Sequence, residues 1–193
     1  MITFDKIKLF GMTHQMVERD LDQVESRLGI DLQRSPRSQG VVDEEYYPQF
    51  EEDIRKEAAS MSVYYQLFYC LEKSIRELIR DKLNAEKGAN WWDVCVPEEI
   101  RKDASSSLQR EIDSGVTPRS TEEIEYTTFG QLTEIVKTNW QSFEDTFNSQ
   151  KAFIKVMASL NLLRGPIAHC CALAADEITR LQITVKDWFR LME

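Results

Sequence analysis

The chain has 193 residues, 42% of them hydrophobic, and a formal charge of −9. That length suits one domain with a sizeable core, seven glycines and five prolines are too few for a turn-rich all-β fold, and the acidic balance excludes indiscriminate coating of nucleic acid. No apolar run reaches the length needed to cross a bilayer and Met1–Lys6 has no signal-peptide core, so a soluble, cytoplasmic protein without membrane contact is expected.

The patterning is helical almost throughout. Phe10, His14, Val17, Leu21, Val24 and Leu28 recur at helical spacing and predict an N-terminal helix closed by Gly29, with His14 packed in its stripe. Residues 31–48, with Arg34–Gly40 and then Asp43–Glu45, read as a connector. Residues 1–48 are thus set apart from a helical bundle over 49–193. A long helix over about residues 49–84 carries Ile54, Ala58, Met61, Tyr65, Phe68, Ile75 and Ile79 on one stripe, widened by Tyr64, Leu71 and Leu78. Glu72 falls at the edge of that band. It is either a snorkelling surface carboxylate or a partly buried acid that needs a cation, and Arg164 is the candidate cation.

Gly88–Trp92 reads as a loop whose two tryptophans plug the end of the bundle, with base stacking as the alternative. Pro97 opens a helix to about Asp113, and Ser114–Pro118 breaks the chain again. Thr128 and Gln131 have the spacing of a capping box and start a helix carrying Phe129, Leu132, Val136, Trp140, Phe143 and Phe147. The next helix, about 149–164, buries Phe153, Val156, Met157, Leu160 and Leu163. Gly165 terminates it and Pro166 opens the last helix. Ile167, Cys171, Ala174, Ile178, Leu181, Val185 and Trp188 form its seam. His169, about 200° round from Ile167 at 100° per residue, points outward from that seam.

Cys70, Cys95, Cys170 and Cys171 include no C-x-x-C pair, and with two histidines in the chain no zinc site and no cofactor are expected. The thiols read as buried and reduced, the alternative being a nucleophilic Cys170 beside His169. The charge is uneven: residues 148–193 hold six basic and four acidic side chains, which leaves −11 on the first 147. Any RNA contact is therefore expected in the C-terminal third, at Lys155 and Arg164. There a guanidinium able to fork two phosphate oxygens precedes an imidazole that exchanges protons near neutrality. Free amides at the start of the last helix would add to a phosphate site. No metal is required, but one histidine does not readily serve both ends of an in-line displacement. A symmetric dimer would supply the second.

Leu160–Cys170, with Arg164 and His169 in R-x4-H spacing, and Asp176–Leu181 downstream resemble the HEPN superfamily, in its Swt-like branch. Phe68–Glu72, Trp91-Trp92, Tyr126–Leu132 and Asn139-Trp140 extend the resemblance over about residues 60–190. It implies an all-α, HEPN-type helical bundle that forms a homodimer, here with an additional N-terminal helix. It further implies a metal-independent endoribonuclease of toxin–antitoxin or antiviral-defence systems that leaves 2′,3′-cyclic phosphate ends and is checked by an antitoxin or other regulatory protein. Arg164 and His169 take the catalytic positions of that motif, supported by Asn161 and Glu72. Gly165 stands where the family often has a polar residue after the arginine, with Asn161 one turn earlier as its substitute. Cys171 stands where some toxin members have a tyrosine. A non-catalytic HEPN scaffold that binds a protein or nucleotide is the alternative, favoured by Gly165 and the acidic balance.

Overall fold

In the computed structural model, Arg27 and residues 47–193 are described. The expected helix over Phe10–Leu28, with His14, and nearly all of the connector over 31–48 lie outside the described residues, apart from Arg27. Tyr47–Gln49 is a short 3-10 turn. From residue 51 onward the chain forms one compact unit, all-α among the described residues.

The long helix α1 runs over Glu52–Lys87. Glu52 and Asp53 in its first turn and Lys87 in its last match the helix dipole, and Gly88 closes it at φ +71°, a conformation glycine adopts without cost. Phe68, Leu71, Ile75, Ile79 and Leu83 form its buried stripe. Ile54, Ala58 and Tyr65, expected on the same stripe, are instead exposed, and Met61 is only half-buried. Periodicity marks a helix as amphipathic without saying how far along it the core extends. Here the core begins at Phe68.

Helix α2 (Trp91–Cys95) follows a 3-10 turn at Gly88–Asn90. Trp91 and Trp92 are both buried, in edge-to-face contact at 5.5 Å, so they fill the core as the sequence suggests. Helix α3 (Glu98–Asp113) starts directly after Pro97. Helix α4 (Phe129–Thr138) has the complete capping box: Gln131 N–H donates to Thr128 Oγ1, and Thr128 N–H donates to Gln131 Oε1. This helix does not continue to Phe147. It stops at Asn139, whose Nδ2 donates to the carbonyls of Cys95 and Ile135 at 2.8 Å, and the chain turns through a 3-10 segment at Trp140–Phe143. That corner stacks Phe143 on Phe147 and brings Phe147 against Phe153 and Trp188, at 4.8 and 5.5 Å.

The largest departure from expectation is at residues 164–175. Helix α5 runs over Gln150–Ala168, capped by Ser149, and passes straight through Arg164, Gly165 and Pro166. A proline ring crowds the Cβ of the residue before it. Gly165 has no Cβ, so glycine eases the proline into the helix rather than ending it. The stop comes four residues later. Cys170 takes the left-handed conformation at φ +55°, and Cys171 N–H reaches back to the Pro166 carbonyl at 2.8 Å, a Schellman-type closure. The last helix, α6, covers Ala175–Arg190, so Ile167 belongs to α5. Cys171 and Ala174 lie on the exposed connection, and the α6 seam holds only from Ile178 onward, through buried Leu181 and Trp188. Helices α1, α4 and α5 pack on one another in the bundle, and α6 packs on α5. No helix among the described residues is long and apolar enough to cross a membrane.

Candidate active site

Glu72 is the hub of the site. Its side chain is 14% exposed, on the flank of α1 where the buried stripe meets solvent. A carboxylate so placed needs hydrogen-bond donors to offset lost hydration, and it has two cations. Arg164 Nε donates to Oε2 at 2.9 Å, linking α5 to α1 across 92 residues of sequence. Arg76 Nη2 donates to Oε1 at 2.6 Å from one turn further along α1. The expected pairing of Glu72 with Arg164 is therefore present.

Arg76 is 11% exposed and carries more than this ion pair. Its Nη2 also donates to the Thr127 carbonyl at 2.9 Å, and its Nε to the Ile124 carbonyl at 3.2 Å. It thus ties the segment before α4 to the middle of α1. In the sequence, Glu72 and Arg76 look like an ordinary i,i+4 surface pair. The only hint of more was Glu72's place at the edge of the stripe.

Arg164 is held differently. Its side chain is 38% exposed, and only Nε is engaged; the two terminal amino groups have no partner among the described residues. Arg164 lines a cavity of about 520 Å³ whose wall is built mainly by α1 and the end of α5. Phe68, Ile167 and Ala168 supply its apolar part, and Tyr65 and Tyr69 stand along one side. Four cations (Lys73, Arg76, Arg119, Arg164) and two carboxylates (Glu72, Glu125) line it, a net +2 in a chain of −9. Lys73 donates to Glu125 at 2.8 Å, and that bond holds the ammonium above the ordinary lysine range. Arg119 lies 5.0 Å above the Tyr126 ring and clasps Glu111. The Arg119 backbone N–H and then its guanidinium hold the Glu111 carboxyl below the usual carboxylate range.

His169 is the C-cap of α5, exposed, immediately after the cavity-lining Ala168 but not itself part of the lining. Its backbone is fixed: the N–H donates to the carbonyls of Gly165 and Pro166 at 3.0 and 3.2 Å. Its ring has no hydrogen-bond partner among the described residues. The helix-start amides expected beside it are absent, because residues 164–169 form a helix end rather than a beginning. Carbonyls, not amides, face outward there, and that end favours a cation over an anion. Any phosphate near His169 is left to the guanidinium of Arg164.

The remaining sequence candidates lie elsewhere. Asn161 is exposed and stands next to Gly130 of α4, outside the cavity. Lys155, about two and a half turns before Arg164, lines a separate groove with Arg190 and Asp187. The thiols are not the buried set expected. Cys70, Cys170 and Cys171 are exposed, and only Cys95 is buried, where desolvation raises its thiol above the ordinary range. Cys70 sits on the outer face of α1, and the two C-terminal thiols sit on the connection that Pro166 was wrongly expected to make helical.

The family model described as Swt1-like HEPN matches residues 66–193, from the start of the buried half of α1 to the C-terminus. No curated protein and no solved structure matches the chain.

Proposed function

Since this chain belongs to the Swt1-like HEPN family, we propose that it is a metal-independent endoribonuclease working as a homodimer, with Arg164 and His169 as its catalytic residues. The observation that carries this reading is the state of Arg164. Glu72 holds its guanidinium by Nε alone, leaving the terminal amino groups without a partner among the described residues, at a cation-rich cavity beside an exposed histidine.

The chemistry balances with these groups and a second copy. Arg164 binds two non-bridging phosphate oxygens and offsets the charge that builds up on them in the transition state. One imidazole takes the proton of the ribose 2′-hydroxyl as its oxygen attacks phosphorus. The phosphorus–O5′ bond breaks, and the imidazole of the second copy gives that oxygen a proton. The products are a 2′,3′-cyclic phosphate and a 5′-hydroxyl. Glu72 positions Arg164 and does not touch substrate. Lys155 and Asn161 take no part in this step. A role as a toxin or defence effector, restrained by an antitoxin or other regulatory protein in the cytoplasm, follows from the family's habits.

The test is incubation of the purified chain with mixed RNA, with and without chelator, alongside a solution mass. Chelator-resistant cleavage to cyclic-phosphate ends by a dimer is expected. A strict monomer that leaves RNA intact sinks the proposal. A second reading, a non-catalytic scaffold, is favoured by one observation: nothing within the described chain orients the His169 ring. Under that reading the purified chain retains a protein or nucleotide partner and cuts nothing.

A further inference from the structure

Tyr65 and Tyr69 are each 61% exposed, far above what large aromatic side chains usually leave to water. They sit one turn apart on α1, with ring centroids 6.3 Å apart and planes tilted by 37°. Both line the same cavity as Arg164, and Tyr69 is one turn before Glu72 and Lys73 on the same helix. Four residues of helix rise about 6 Å, so phenol rings, carboxylate hub and cations follow one another along a single stripe.

The bound state of each cation says what this stripe lacks. Arg76 is used up by Glu72 and two backbone carbonyls, and Arg119 is used by Glu111 and Tyr126. Arg164 has two amino groups to give, and Lys73 has donors beyond its bond to Glu125. A ligand that fits must bring anionic oxygens to Arg164 and a flat, aromatic face to the tyrosines. Phosphate alone meets the first demand and leaves the rings wet. A double helix meets only the first demand, because its bases are stacked on each other and closed to side-chain rings.

We infer that Tyr65 and Tyr69 are a base-stacking platform, and that the cavity takes one step of single-stranded RNA, its phosphate on Arg164 and an adjoining base on Tyr69. This rests on the ribonuclease reading and deepens it: the rings select unpaired RNA at the place where it is cut. Stacking is tolerant of base identity, so the platform supplies a preference for open strands rather than for a sequence.

Binding is measured on the His169→Ala background, which holds RNA without cutting it. Fluorescence anisotropy is read with a labelled single-stranded oligonucleotide, the same oligonucleotide carrying abasic sites, and a duplex of equal length. Tyr65→Ala and Tyr69→Ala are exposed-site changes that leave the fold intact, checked by melting temperature, and Tyr69→Phe keeps the ring. Each alanine variant is expected to weaken single-strand binding by roughly five- to a hundredfold, Tyr69→Phe to retain it, and duplex binding to stay the same. The abasic strand should bind the two-tyrosine protein as poorly as the intact strand binds Tyr69→Ala. Equal binding of intact and abasic strands by a chain that still cuts RNA overturns the platform and leaves the nuclease standing. If the chain neither binds nor cuts any RNA, both fall together.

Discussion

Arg164 and His169 are five residues apart at one helix end, yet the fold treats them in opposite ways. Arg164 is gripped at Nε by a nearly buried carboxylate that is itself anchored by Arg76, so its guanidinium is held in place by the described chain alone. His169 is fixed only through its backbone, and its ring is open to water. On the proposed nuclease reading, the anion-binding half of the motif would be preorganised by the monomer, and the proton-transfer half would be left for a second copy to complete, the division expected of a site shared across a two-fold axis.

That contrast is broken most directly at the histidine. His169→Ala is expected to cut RNA cleavage by about 10²–10⁴-fold while moving the melting temperature by less than about 2 °C, since an exposed ring supports no packing. A large loss of stability in this variant would mean that the ring is structural. Glu72→Gln works the other side. It leaves two guanidiniums competing for a neutral amide and should cost about 3 kcal/mol, a fall of about 6–12 °C in melting temperature for a chain of this size. Arg164→Lys separates grip from charge: the ammonium still satisfies Glu72 but loses the fork. Cleavage should fall about ten- to a hundredfold with nearly unchanged thermal stability.

The smallest effect is read against pH. Glu111 is held below its ordinary range in the folded chain. Its clasp on Arg119 therefore stabilises fully above about pH 4.3, where the unfolded carboxyl titrates, and is lost as pH falls through the folded value. Urea midpoints of the parent and Glu111→Gln should differ near neutrality and converge on the acid side.

What the sequence made legible is what short-range chemistry decides. Thr128 and Gln131 cap α4 because the box needs only four residues to close. Glu72 betrayed its need for a cation by its position on the helix, and Arg164 answered it. Other features required partners distant in the chain. Arg76 gains its importance from the carbonyls of Ile124 and Thr127, about 50 residues away, which no helical spacing reveals. Tyr65 and Ile54 follow the apolar period of α1 but extend past the core that period predicts. Pro166 departs from expectation for a local reason of the opposite kind: glycine before proline has the pattern of a stop, whereas its missing Cβ lets the helix through. Left-handed Cys170, with no glycine to announce it, made the stop instead.

That unusual C-terminal closure has a mechanical outcome. The N–H of His169 is held by the Gly165 and Pro166 carbonyls and Cys171 N–H closes the turn behind it, so the imidazole turns as on a swivel, through a handful of staggered rotamers, and no loop has to be dragged into place. Freezing one such side chain costs about 0.5–1.5 kcal/mol, a toll that a modest contact surface can meet. If the ring takes part in catalysis as proposed, setting it in place would need only a rotamer choice by whatever docks against that corner, and no refolding of the chain that carries it.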